Sequence, residues 1–188
     1  MNRHSFEFIY RLGKFNGYGR PIAFKRFSIL NQYKFDSVLD VGSGPCFLQE
    51  WLQENNIKAK YEAVDIRKDS LEYCKCQTYV QIPKNNVYDL VCLFGTVTYN
   101  IDQNEEKNKL LLKTLLKDSK DVCSSILLFT VFKKSFGEQN KNTPNHDFFV
   151  YFSKDEIKIM LEKLNVFNYE IIENDEYDKN EYFVVCNL

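Results

Sequence analysis

The residues best suited to chemistry in this 188-residue chain are two glycines and an acid that follow predicted strands. Residues 38–45 read Val-Leu-Asp-Val-Gly-Ser-Gly-Pro, so Gly42 and Gly44 come directly after an apolar run. Glycine lets the backbone turn tightly and approach a ligand, and the helix that opens next offers unpaired N–H groups. Asp65 follows a second apolar run, where a carboxylate can accept hydrogen bonds from ribose hydroxyls. This order predicts a nucleoside-cofactor site.

The same segment indicates which class of cofactor fits. The dinucleotide fingerprint G-x-G-x-x-G needs a third glycine at position 47, which is Phe47. No lysine of a phosphate-binding loop follows either. Because both kinds of phosphate-binding signal are missing, we expect a cofactor without phosphates.

Alternating strand and helix patterns position these residues. Near-continuous apolar runs such as 88–94 are typical of strands that are buried on both faces of a parallel sheet. The patterns predict one α/β domain: a doubly wound, mostly parallel seven-stranded sheet with an antiparallel last strand and helices on both faces. Strands are predicted over 37–41, 60–66, 78–82, 88–94, 125–131, 169–173 and 182–186, and helices over 46–55, 69–77, 102–120 and 153–164.

Two predicted helices begin with capping signatures. Asp102 is followed by Glu105, and Ser153 is followed by Glu156, each at the spacing of a capping box. The first helix is predicted to bury one face and the second to bury a stripe at i, i+3, i+4 and i+7. The predicted buried residues are Leu111, Leu112, Leu115 and Leu116 in the first helix and Ile157, Met160, Leu161 and Leu164 in the second.

Composition excludes several classes of protein. Hydrophobic residues make up 44% of the chain and aromatic residues 15%, which excludes whole-chain disorder. No run of 18 apolar residues exists, so we expect no membrane span, and residues 1–10 lack the apolar core of a signal peptide. Most of the six cysteines lie in apolar runs, and Cys74-x-Cys76 lacks the usual zinc-site spacing. We therefore expect a reduced cytoplasmic protein with no metal.

Charge is unevenly distributed along the chain, although the net charge is only −1. Residues 1–34 carry seven basic groups and one acid, whereas residues 170–188 carry six acids and one lysine. We expect the two ends to differ in surface potential. The basic, aromatic N-terminal segment is either a surface for an anionic substrate or a solvated helix face.

Three motifs resemble those of the class I S-adenosylmethionine-dependent methyltransferases. VLDVGSGP (38–45) resembles motif I of that family, YEAVDI (61–66) its acidic second motif, and YDLVCLFGTVTYN (88–100) its fourth-strand motif. The ending EYFVVCNL resembles its closing hairpin. The resemblance covers about residues 35–188 and is strongest to small stand-alone members. Residues 1–34 would precede this core as a helical lid, in which Tyr18-Gly19 and Arg26-Phe27 resemble segments found ahead of motif I.

The resemblance implies S-adenosyl-L-methionine as cofactor, with S-adenosyl-L-homocysteine as product. The implied cofactor-binding residues are Asp40, Gly42, Gly44, Asp65, Ile66, Phe94 and Gly95. Among these, Asp40 would orient the amino group, Asp65 would hold the ribose diol and Ile66 would lie against adenine. Two positions depart from the family pattern. Cys46 replaces its third glycine and is expected to narrow the space near the methionine part, and the acid after the third strand is missing, with Gln81 the nearest polar residue.

The acceptor side is less defined, because methyl transfer mainly requires alignment and exclusion of water rather than a fixed catalytic residue. The candidate catalytic residues are Tyr99, after the fourth strand, and His146, in the loop after the fifth. Tyr18 and Arg20 are candidate substrate residues on the lid. The leading hypothesis is methylation of an O or N atom of a small molecule. The alternatives are an RNA or protein methyltransferase docking through the basic segment, a non-catalytic subunit with this fold, and a nicotinamide dehydrogenase.

Overall fold

The computed structural model describes residues 14–66, 72, 74–96, 104–142 and 149–188. Its α-helices are α1 (Lys14–Phe27), α2 (Phe47–Glu54), α3 (Glu105–Asp121), α4 (Lys134–Asn140) and α5 (Lys154–Lys163), and a 3-10 helix spans Ser28–Gln32. Its strands are β1 (Ser37–Val41), β2 (Lys60–Val64), β3 (Gln77–Tyr79), β4 (Tyr88–Leu93), β5 (Cys123–Lys133), β6 (Tyr151–Phe152), β7 (Tyr169–Ile172) and β8 (Glu181–Asn187).

The strands form one mixed sheet in the order β3-β2-β1-β4-β5-β8-β7. The first five strands of this order are parallel, and β8 runs antiparallel to both β5 and β7. The predicted doubly wound fold with a closing hairpin is confirmed. The order reverses between β1 and β4, and ligands of such sheets bind beyond the strand ends at this point. The two-residue β6 pairs with β5 beside this path and was not predicted, because two residues carry no periodic signal.

Helices cover both faces of the sheet, as predicted. Successive residues of β5 point to opposite sides, so Leu127 and Phe129 join one apolar cluster and Leu128 joins the other. The first cluster takes buried side chains from α3 and α5, and the second takes them from α2 and the 3-10 helix. The two cores hold the strands rigidly and thereby fix the loops at their ends.

The capping box predicted for α5 is confirmed, whereas the N-cap predicted for α3 is wrong. Ser153 and Glu156 form a full capping box, and the four predicted apolar residues of α5 are buried. Helix α3 begins at Glu105, so its N-cap is Asn104, whose side chain accepts from the Lys107 N–H at 3.1 Å. The predicted pairing of Glu105 with Asp102, which lies outside the described residues, was therefore wrong. Leu112 and Leu116 are buried in α3, whereas Leu111 is 41% exposed, because only a narrow stripe of this helix faces the sheet.

The predicted helix over 69–77 was wrong at its described end, where 74–76 are irregular and Gln77 begins β3. The side chain of Gln49 on α2 explains this. Its Nε2 donates to the Lys75 carbonyl and its Oε1 accepts from the Lys75 N–H, both at 2.9 Å, which replaces helical hydrogen bonds. This contact brings Cys74 to Cys46, and the two form a disulfide. The prediction of reduced cysteines was wrong for this pair, because residues 28 apart in sequence meet only in the fold.

The two oppositely charged ends of the chain meet on the surface. Lys25 on α1 donates to the Asp175 carbonyl at 3.0 Å, and Arg26 donates to the Asp178 carboxylate from Nε at 3.0 Å and from Nη2 at 2.8 Å. These contacts join α1 to the acidic β7–β8 loop. Among the described residues, no helix has the length and apolar character to cross a membrane.

Candidate functional site

The glycine loop at the end of β1 packs directly against the chain that follows β4. Gly42 has a φ of 77°, and its N–H donates to the Val64 carbonyl at 2.7 Å. A Cβ added to Gly42 would lie 2.4 Å from Cγ2 of Thr96, so a side chain at this position would meet both backbone strain and a steric clash. The loop therefore requires glycine at this position to pass between the ends of β2 and β4.

Asp65 joins the end of β2 to this loop. Its Oδ2 accepts a hydrogen bond from the Gly44 N–H at 2.9 Å, and its own N–H donates to the Tyr79 carbonyl at 3.1 Å. The structure thus brings together Gly42, Gly44 and Asp65, as their positions after the strands predict. A carboxylate can accept several hydrogen bonds at once, so the acid that orders the loop is of a type that can also bind hydroxyl groups.

A second carboxyl lies in β1, two residues before the glycine loop. Asp40 is buried, and the Tyr61 hydroxyl donates to its Oδ2 at 2.7 Å. Burial raises the pKa of Asp40 to about 7; the Tyr61 hydrogen bond lowers it, and the charge of Asp65 raises it further. Asp40 therefore titrates near neutral pH, and a cation bound at this edge would favour its ionised form.

Hydrogen bonds fix the ends of β1, β4 and β5 relative to one another. The Gly95 N–H donates to Thr130 Oγ1 at 2.9 Å, and the Thr96 hydroxyl donates to the Val41 carbonyl at 2.5 Å. Phe94, partly buried, packs edge-on against Phe27 of α1 with ring centroids 5.0 Å apart. The predicted cofactor residues Phe94 and Gly95 thus lie on a rigid segment at the same sheet edge as the glycine loop.

Two groups at this edge, one polar and one apolar, are placed where a ligand could contact them. The Ser43 hydroxyl oxygen is buried and has no hydrogen-bond partner among the described residues. The Ile66 side chain is 86% exposed directly after Asp65. A polar atom without a partner inside the loop and an apolar side chain at its rim are the features expected where a ligand with one polar and one flat apolar part binds.

Cys46 does not narrow the site, which corrects the expectation from the sequence. Its backbone is left-handed with a φ of 57°, and its side chain is fully buried in the disulfide with Cys74. The Cys46 sulfur is therefore buried between α2 and the segment before β3. Gln81, the nearest polar residue for the missing third acid, is exposed just beyond β3.

The sequence did not predict several long-range hydrogen bonds that shape the site. Tyr61, Thr96 and Thr130 make the hydrogen bonds described above, and no local pattern marks them, because each partner lies more than twenty residues away. Two predicted catalytic residues, Tyr99 and His146, lie outside the described residues. The backbones of Tyr18 and Arg20 belong to α1, and their side chains are outside the described part.

Comparison with solved structures gives the fold family, although no protein-family model and no curated protein matches the sequence. A methyltransferase from Archaeoglobus fulgidus superposes with a TM-score of 0.65 at 15% identity, over 98% of this chain and 99% of that one. The plantazolicin methyltransferase BamL, solved with S-adenosylhomocysteine, gives 0.64 at 10% identity over 99% and 91%. A Nostoc punctiforme protein assigned as an O-methyltransferase gives 0.62 at 15% identity over 86% and 54%, so this chain spans about half of it. The chain has the fold of the class I S-adenosylmethionine-dependent methyltransferases.

Proposed function

We propose that this protein is an S-adenosylmethionine-dependent methyltransferase that methylates an O or N atom of a small molecule. The observation that carries the proposal is the hydrogen bond between Asp65 and the Gly44 N–H at the edge where the strand order reverses. The buried Ser43 hydroxyl, without a partner among the described residues, supports a ligand at the same loop. The fold supports the choice of cofactor.

The residues at this edge fit the parts of S-adenosylmethionine. Asp65 would accept hydrogen bonds from the ribose hydroxyls, and the exposed Ile66 would cover one face of adenine. Asp40 would attract the ammonium group, because a buried carboxyl gains most from an opposite charge. Gly42 and Gly44 would pass beneath the methionine and ribose. Phe94 and Gly95 would line the methionine side.

The protein would then contribute to methyl transfer by positioning the cofactor and the acceptor and by excluding water. When bound, the cofactor supplies a methyl group that is already activated on a sulfonium. The ring contact between Phe27 and Phe94 would place apolar surface on the methionine side, and such surface would keep water from the reacting region. A general base is needed only for an acceptor that arrives protonated, and Tyr99 and His146 are proposed for that role. Tyr18 and Arg20 on α1 are proposed to contact the acceptor.

A small-molecule acceptor is favoured over RNA or protein because basic residues of α1 are paired with the acidic loop between β7 and β8. Lys25 and Arg26 belong to the basic segment that would dock RNA, yet both contact the acidic loop after β7. BamL, which has this fold, was solved in complex with a triazolic desmethylPZN analog. A binding experiment with RNA separates the alternatives, because phosphate contacts make affinity fall steeply with salt. The absence of any RNA affinity at low salt is the expected result.

Calorimetric titration of S-adenosylmethionine and S-adenosylhomocysteine tests the proposal. We expect saturable binding that Asp65→Ala weakens by about 10-fold or more, roughly 1.4 kcal/mol. Asp89→Ala is the matched control. Asp89 also accepts backbone hydrogen bonds, from Asp36 and Ser37 at 2.9 and 3.0 Å, but at the opposite end of the strands. Asp89→Ala should lower the free energy of unfolding and leave cofactor affinity unchanged. Folded wild-type protein that binds neither compound would instead indicate a non-catalytic subunit, and binding of NAD in their place would indicate a dehydrogenase.

A further inference from the structure

Three cysteine sulfurs converge behind the glycine loop. The Sγ atoms of Cys46, Cys74 and Cys76 all lie within 4.8 Å of one another. Cys46 and Cys74 form the disulfide described above, and Cys76 is a free, partly buried thiol. A structural disulfide needs two sulfurs, so it does not account for the third at this distance.

The backbone holds the three residues in this arrangement. The left-handed Cys46 precedes α2, and its N–H donates to the Ser43 carbonyl at 3.0 Å, which fixes the thiol-bearing turn. On the facing segment, the Gln49 side chain donates a hydrogen bond to the Lys75 carbonyl and accepts one from the Lys75 N–H. Cys74 and Cys76 flank Lys75, so the two hydrogen bonds that fix Lys75 also hold both sulfurs near the start of α2.

The arrangement matches the ligand set of a thiophilic cation. Zinc–sulfur bonds of 2.3 Å in tetrahedral geometry place sulfurs about 3.8 Å apart, which the observed cluster reaches with small side-chain shifts. The spacing Cys-x-Cys alone gives no zinc signal, and for that reason the sequence led to an expectation of no metal. The third sulfur comes from a residue 28 positions before Cys74, which only the fold reveals.

We propose that in the reduced protein Cys46, Cys74 and Cys76 bind one zinc-class cation, with water as a fourth ligand. The disulfide and the metal use the same sulfurs, so the two states exclude each other. Reduction by a dithiol breaks the Cys46–Cys74 bond, transfers two electrons and two protons to its sulfurs, and leaves the reductant as a disulfide. The cation then replaces the three thiol protons, which pass to solvent. A bound cation would tie the start of α2 to the segment before β3, on the inner side of the cofactor loop.

Anaerobic metal titration of the full chain tests this inference. The protein is reduced with dithiothreitol, freed of it by gel filtration, and titrated with Co²⁺ and then Zn²⁺. We expect one equivalent of Co²⁺ with the near-ultraviolet charge-transfer band of thiolate ligands, displaced by one equivalent of Zn²⁺. Cys76→Ser is the decisive variant, because it keeps the Cys46–Cys74 pair and should lower Zn²⁺ affinity by more than about 100-fold. Cys123→Ser, which changes a partly buried thiol of β5, is the control and should bind like the wild type.

The outcomes separate the inference from its alternatives. Reduced wild-type protein that binds no Co²⁺, or a Cys76→Ser variant that binds Zn²⁺ as tightly as the wild type, would overturn the three-thiol site. If such protein re-forms a Cys46–Cys74 disulfide, as shown by a mass lower by two hydrogens, the cluster is a disulfide only. Titration of S-adenosylhomocysteine into the same samples reports on the proposed function independently, since that ligand contacts none of the three sulfurs in the proposal.

Discussion

Gly42→Ala tests whether the glycine loop is shaped by its contact with the chain after β4. The new Cβ would lie 2.4, 2.7 and 2.9 Å from Cγ2, Oγ1 and Cβ of Thr96. It would also have to adopt the left-handed φ of 77°, which costs an L-residue about 1–2 kcal/mol. Overpacking of a fixed neighbour adds about 1–3 kcal/mol. We therefore expect Gly42→Ala to lower the free energy of unfolding by about 2–5 kcal/mol.

A double-mutant cycle separates the two contributions. Thr96→Ala removes the two closest atoms, Cγ2 and Oγ1, and leaves the Cβ at 2.9 Å. Urea unfolding of both single variants and the double variant should show that the double variant is more stable than the sum of the single effects predicts, by about 1–2 kcal/mol. The remaining destabilisation combines the backbone strain with the residual contact with the Thr96 Cβ.

Gly137→Ala is the matched control. A Cβ there would lie 2.8 Å from the Tyr151 ring, so it clashes, but Gly137 lies within α4 and carries no left-handed strain. It should lower stability without changing the affinity for S-adenosylhomocysteine, whereas Gly42→Ala should weaken that affinity. A Gly42→Ala variant with wild-type stability and additive behaviour with Thr96→Ala would refute the packing argument.

Three further predictions concern pH and helix capping. Asp40→Asn should abolish proton release on S-adenosylmethionine binding near pH 7, measured by calorimetry in buffers of different ionisation enthalpy, because the ammonium shifts a carboxyl whose pKa is about 7. Burial raises the pKa of Glu181 to about 7 although Arg26 lies 3.0 Å away, so the native state holds more protons than the unfolded chain between pH 4.5 and 7. The free energy of unfolding contributed by protonated Glu181, about 3 kcal/mol, is present below that window and is lost as the pH rises through it. Glu181→Gln should remove this pH dependence from urea unfolding. Ser153→Ala deletes the cap that accepts from the Glu156 N–H at 3.2 Å and should cost about 1 kcal/mol in thermal unfolding.

The elements that could be predicted from the sequence are those with strong local signals. Strand β4 is apolar except for Asp89 because both of its faces are buried, and the prediction over 88–94 misses its observed end by one residue. The capping box of α5 is also entirely local, since Ser153 and Glu156 are three residues apart. The glycine loop and Asp65 follow from the order of strands, because parallel strands bring their carboxyl ends to one edge.

The errors arise where long-range contacts decide local structure. The sequence pattern predicted a helix through 74–76, yet the Gln49 side chain makes the hydrogen bonds to the Lys75 N–H and carbonyl. The start of α3 was misplaced because Asp102 and Asn104 are both good caps, and only the fold selects Asn104. The contact of Thr96 with Gly42 joins parts of the chain that no sequence pattern connects.

The negative charge beside the glycine loop favours the proposed cofactor over a dinucleotide. The charge of Asp65 is close enough to Asp40 to raise the pKa of Asp40. Asp40 and Glu62 likewise raise the pKa of Cys76, with burial the larger cause. A dinucleotide brings a doubly charged pyrophosphate into this negative field and would be repelled, whereas S-adenosylmethionine brings an ammonium and a sulfonium that the field attracts. Uncharged adenosine should then bind more weakly than S-adenosylhomocysteine, and the difference should shrink in Asp40→Asn, because the ammonium loses its buried partner.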